Sequence, residues 1–130
     1  MCCRNSCIYL SIIAGIVAGV ILGVLYSLGF VSSGIVFWVY LVIGALGLLG
    51  APLYAQKASY NCSDSCFCRF KALILTASAG SVISAAVGLI VANTATAVVA
   101  SIIFGVASFF VATLLAALVC LANCLCNSED

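Results

Sequence analysis

Charge is missing from four long stretches of this chain, and that absence limits its fold more than any other feature. The four Lys and Arg and three Asp and Glu of its 130 residues are Arg4, Lys57, Asp64, Arg69, Lys71, Glu129 and Asp130, all in or beside three short segments, 1–7, 57–69 and 120–130. Between them run apolar stretches of about 20 residues or more, the length that carries a helix through a hydrocarbon core about 30 Å thick at roughly 1.5 Å per residue. In lipid a spanning backbone has to satisfy its own hydrogen bonds, which selects helices for segments of this composition. The spans fall at 8–30, 35–56, 70–92 and 96–119. The expected fold is an all-α integral membrane protein, a single transmembrane domain over 1–130 with four transmembrane helices as two antiparallel hairpins.

With 67% of residues hydrophobic and 5% charged, the chain has no polar surface with which to be a soluble domain, and its natural partner is membrane lipid. Nucleic acid is excluded as a partner, because phosphate binding needs a stripe of basic residues. The first apolar run, at about 23 residues, is longer than the roughly 7–15 of a signal-peptide core. Position 2 is Cys2 and the chain ends Asn127-Ser128-Glu129-Asp130, so neither a myristoylation nor a prenylation motif is present.

Four spans put both termini and the middle loop on one face. Arg4, Lys57, Arg69 and Lys71 all belong to that face and no basic residue belongs to the other. Basic residues in short flanking segments mark the cytoplasmic side, which predicts a multi-pass protein with cytoplasmic N- and C-termini.

Aligning Cys3-Arg4 on Cys68-Arg69 also brings Leu10 onto Leu75, Ala14-Gly15 onto Ala79-Gly80, Val17 onto Val82 and Gly23 onto Gly88. This register suggests a parallel internal duplication of a two-helix unit, with the hairpins related by an axis along the membrane normal. The second and fourth spans match less well.

Every span carries small residues at helical spacing. Gly15, Gly19 and Gly23 recur at fours in the first, and Gly80, Ser84 and Gly88 in the third. Such stripes let backbones approach closely, which is how helices associate when lipid removes the hydrophobic drive. We expect these six residues to pack the first helix against the third. Gly44, Gly47 and Gly50 in the second span and Gly105, Ser108, Ala112 and Ala116 in the fourth leave small faces over, which predicts a homo-oligomer. Pro52 is the one hinge position: it removes a backbone donor, near enough to the end of the second helix to shape its exit at little cost. Trp38, Tyr40, Tyr9, Tyr54 and Tyr60 lie where interfacial anchors belong.

Catalytic residues are not found. With no histidine and all acids outside the spans, neither a hydrolytic triad nor an intramembrane proton relay can be assembled. Ser78, Ser81, Ser84 and Thr76 give the third helix a mildly polar side, the only feature from which a transport path could be built.

The nine cysteines carry the chemistry that is available. Cys2, Cys3 and Cys7 precede the first span, Cys62, Cys66 and Cys68 lie in the middle loop, and Cys120, Cys124 and Cys126 follow the fourth. The last two clusters share C-x3-C-x-C, and the first begins the same way. On a helix, residues four apart share a face with Cβ atoms about 5–6 Å apart, close enough for two sulfurs to bind one metal at about 2.3 Å. The ligand set read from this pattern is Cys3, Cys7, Cys62, Cys66, Cys68, Cys120, Cys124 and Cys126, for zinc, copper(I) or an iron–sulfur cluster. The spacing matches neither paired C-x2-C zinc motifs nor ferredoxin runs. S-acylation of the cysteines flanking the spans is an alternative. Disulfide bonding argues against a cytoplasmic face, and an odd count leaves one thiol over.

The sequence thus predicts a small, non-enzymatic, self-associating membrane protein with a cytoplasmic cysteine rim for thiophilic metal binding or redox sensing. The alternatives are a small transporter or channel with the rim as ion vestibule, and an S-acylated structural membrane protein. A thiol oxidoreductase needs little beyond exposed reactive cysteines, but no C-x-x-C pair is present.

Overall fold

The computed structural model describes residues 3–30, 33–58, 65–91, 94 and 96–126, with side chains at 6–30, 34–50, 70–91, 94 and 96–123. All of its regular structure is helical: α1 (Cys3–Ser27), α2 (Ser33–Ala58), α3 (Ser65–Val91) and α4 (Ala97–Cys126). The helices outrun the predicted spans mainly at the cysteine-bearing ends, because nothing in those segments stops a helix as it leaves the apolar region. Among the described residues three stretches are long and apolar enough to cross a membrane, Ser6–Ser27, Phe70–Val91 and Ala97–Asn123. The apolar stretch described in α2, Gly34–Gly50, is shorter.

At the other end α1 is stopped by a glycine. Gly29 has φ of +78°, a left-handed conformation that costs glycine little because it lacks Cβ. The amides of Gly29 and Phe30 turn back to donate to the carbonyls of Tyr26 (3.0 Å) and Leu25 (3.2 Å), the paired bonds of a Schellman cap. Thr96 precedes α4, and its carbonyl accepts from the amide of Ala100 at 3.2 Å.

The packing order departs from two equivalent hairpins. α3 and α4 form a packed antiparallel pair, but α1 docks on α4 and α2 docks on α3, with further contacts between α2 and α4. Among the described residues α1 and α2 share almost no contact. The two halves of the chain are therefore unequal in packing. The registers run consistently: Gly15, Gly19 and Gly23 step up α1 as their α4 neighbours Thr113, Phe109 and Gly105 step down, while Phe37 and Tyr40 of α2 meet Phe104 and Ser108 of α4 in parallel. Neighbours in the chain run in opposite directions.

What is buried is small or hydroxylated as often as it is large. Ala85, Ala107, Ala117, Ser78 and Ser81 are fully enclosed alongside Phe37, Phe70, Phe104 and Leu114, while Ile16, Val20, Ile83, Ile90, Val98 and Ile102 face outward. A soluble bundle would bury those branched residues. In a bilayer they lose nothing by exposure, and small residues inside allow the close approach on which packing depends. This distribution fits a membrane protein.

Candidate functional site

The α1–α4 seam begins with glycine. A Cβ built on Gly19 would stand 2.9 Å from the carbonyl oxygen of Gly105, one on Gly105 would stand 3.2 Å from the carbonyl oxygen of Gly19, and one on Gly15 would collide with the Thr113 hydroxyl. The stripe predicted to meet α3 therefore meets α4, whose Gly105 and Thr113 supply the complementary small row. In α3, Gly80 lies under the ring of Phe110 from α4 and Gly88 under the ring of Phe37 from α2, while Ser84 donates back to the Gly80 carbonyl of its own helix. Gly44 and Gly47 of α2 sit against Ser81 and Ser78. The small faces that the sequence left over for self-association are thus largely occupied within the chain.

The same register that pairs the glycines brings Cys7, one turn before Ser11, onto Cys120, near the end of α4. The two are joined by a disulfide with Cα atoms 6.3 Å apart, within the usual span of such bonds. Ser11 is fully buried beside it. Its hydroxyl donates to the carbonyl of Cys7 at 2.9 Å and lies 3.8 Å from Cys120 Sγ. Cys120 is part of a core cluster with Phe70, Ile74, Ala77, Leu114 and Ala117, with Cys7, Ile8 and Leu121 packed at its edge. Phe70 follows Cys68 by two residues, so the start of α3 is held at the same end of the bundle as Cys7 and Cys120.

This pairing changes the reading of two predicted ligands. A sulfur engaged in a disulfide offers no thiolate to a metal, so Cys7 and Cys120 could serve as ligands only in the reduced chain. Cys3, Cys66, Cys68, Cys124 and Cys126 lie on helical ends whose side chains fall outside the described residues, and Cys62 lies outside them altogether. Among the described residues no three His, Cys, Asp or Glu come together as a metal site. Sequence reasoning weighed disulfides but had no means of choosing partners among nine cysteines on one face; the choice follows from the α1–α4 register.

The hydroxyls of α3 are taken up by packing. Ser81 donates to the Tyr40 carbonyl at 3.2 Å, Thr76 to the Ala72 carbonyl at 2.8 Å, and Ser84 to its own helix. Ser78 is enclosed and has no hydrogen-bond partner among the described residues. Tyr40, expected as an interfacial anchor, turns inward: its hydroxyl meets that of Ser108 at 3.0 Å and its ring lies beside Phe104. Trp38 and Tyr9 are exposed as an anchor requires. Pro52 lies within α2, which continues as helix to Ala58.

No protein-family profile, curated protein or solved structure matches this chain. Its function has to be argued from its own residues.

Proposed function

We propose that this chain is a non-enzymatic, four-span membrane protein whose cysteine end senses thiol redox state, with the Cys7–Cys120 pair as the responding group. The observation that carries this reading is the disulfide itself, joining the first helix to the last. Supporting the fourth span, α2 is helical over 26 residues, about 39 Å at roughly 1.5 Å per residue and longer than a core of about 30 Å. The alternation of helix direction along the chain is that of a segment crossing four times.

Basic residues lie only at the cysteine end, which orients that end and both termini toward the cytoplasm. There a disulfide is ordinarily transient and tied to redox chemistry, whereas a permanent structural bond belongs to an oxidising compartment. Orientation and bond together therefore favour a sensor. Use of the Thr76, Ser81 and Ser84 hydroxyls by helix carbonyls weighs against a transport path along that helix.

The test is a thiol count on full-length protein in detergent, made under denaturing conditions after equilibration with oxidised or reduced glutathione. Oxidation should remove two thiols reversibly, with Cys7 and Cys120 recovered as one cross-linked peptide pair. If all nine thiols stay free under oxidising conditions the reading is overturned. Metal content measured on the same anaerobic sample tests the metal alternative for the remaining cysteines.

A further inference from the structure

The two sulfurs of the Cys7–Cys120 bond stand in unequal surroundings. Cys120 is only 9% exposed and is enclosed by Phe70, Ile74 and Ala117. Cys7 is half-buried at the very start of the apolar run of α1, next to exposed Ser6. Thiol–disulfide exchange depends on which sulfur an incoming thiolate can reach and on how well the departing sulfur is accommodated. We infer that Cys7 is the outer sulfur, a site of S-thiolation by low-molecular-weight thiols, and that Cys120 is the buried resolving sulfur, with Ser11 as its positioning residue. This inference rests on the redox reading above and names the reactants that the site takes.

The exchange balances with a small thiol, RSH, and its disulfide, RSSR, as the only co-reactants. In reduction, RS⁻ attacks Cys7 Sγ; the Cys7–Cys120 bond breaks, an R–S–S–Cys7 bond forms, and Cys120 departs with the electron pair and takes up the proton that RSH released. A second RSH attacks the sulfur belonging to R, which leaves a Cys7 thiol and forms RSSR. Two electrons pass from two RSH to the protein. Oxidation runs the same steps backwards: Cys7 is thiolated by RSSR, and Cys120 then displaces the small thiol.

Ser11 is placed to help the buried partner. Its proton goes to the Cys7 carbonyl, and its oxygen lies within a sulfur hydrogen-bond distance of Cys120 Sγ. Rotation of this one hydroxyl can bring the proton to Cys120 when that sulfur departs into apolar surroundings, where a charged group otherwise has no compensation.

Site-resolved peptide mapping on the full chain in phosphatidylcholine nanodiscs tests this, with glutathione as the probe. Oxidised protein exposed briefly to reduced glutathione and quenched with acid should carry its first mixed disulfide on Cys7. In the single variants, Cys7 of Cys120→Ser should be thiolated by oxidised glutathione at least about ten-fold faster than Cys120 of Cys7→Ser, the difference that access imposes. Both variants lose the same cross-link, so general loosening affects them alike. Ser11→Ala should slow displacement of glutathione by Cys120 while leaving the rate of Cys7 thiolation in the Cys120→Ser background unchanged; a merely structural role would alter both. First thiolation at Cys120, or equal rates, would overturn the assignment while leaving the redox reading intact. Failure of the wild-type chain to form the Cys7–Cys120 bond with oxidised glutathione would instead overturn the redox reading.

Discussion

Gly19 of α1 and Gly105 of α4 face each other so closely that a Cβ on the first would stand 2.9 Å from the carbonyl oxygen of the second. A backbone atom cannot step aside as a flexible side chain can. Gly19→Ala should therefore force the helices apart and destabilise the fold by about 1–3 kcal/mol, the usual range for overpacking. Gly34→Ala, at a position with nothing within 4 Å, should change stability by less than about 0.5 kcal/mol. Denaturant titration in mixed micelles separates the two; equal effects would show that the seam is looser than described.

A double-mutant cycle on Tyr40→Phe and Ser108→Ala should give a coupling near 0.6 kcal/mol, typical of hydrogen bonds between membrane helices. The hydroxyls meet at 3.0 Å, but Ser108 also donates to the Phe104 carbonyl at 2.8 Å. Ser108 keeps that carbonyl when the Tyr40 hydroxyl is removed, which holds the coupling small. A value indistinguishable from zero would place Tyr40 at the interface, as its sequence position alone suggests.

Ser78→Ala should leave stability unchanged or raise it by up to about 1 kcal/mol, because a buried hydroxyl without a partner costs free energy that its removal returns. Ser81→Ala should lower it, since that hydroxyl bonds across to α2. The same pair speaks to transport: if Ser81→Val and Ser84→Val abolish ion flux in proteoliposomes, α3 lines a path and the sensor reading loses its exclusivity.

Cys120→Ser should lower thermal stability under oxidising conditions and have little effect in reductant. The bond closes a loop of sequence separation 113, for which chain entropy sets a ceiling of about 4.7 kcal/mol. A membrane-confined unfolded chain is already restricted, so the measured loss should fall below that ceiling. Equal destabilisation with and without reductant would mean that the side chain matters for packing alone.

The positions of the helices were legible in the sequence because charge and turn residues punctuate it, and each predicted span coincides with one helix, although the helices run further at the cysteine-bearing ends. Their partners were not. A helix that is apolar all round carries no pattern saying which side faces protein and which faces lipid, and small residues on every helix offered several ways to pair. Gly15, Gly19 and Gly23 announced a close contact without saying that Gly105 and Thr113 would receive it. The redox pair was hidden for the same reason: Cys7 and Cys120 resemble their seven neighbours until the α1–α4 register singles them out.

The central position of α4, touched by each of the other three helices, has a consequence for biosynthesis. α4 leaves the ribosome after the other three, and among the described residues α1 and α2 have almost nothing to hold one another in its absence. The glycine face of the first helix must wait in lipid, unmatched, until α4 has followed it into the membrane, so this bundle closes only after all four of these helices are made instead of hairpin by hairpin.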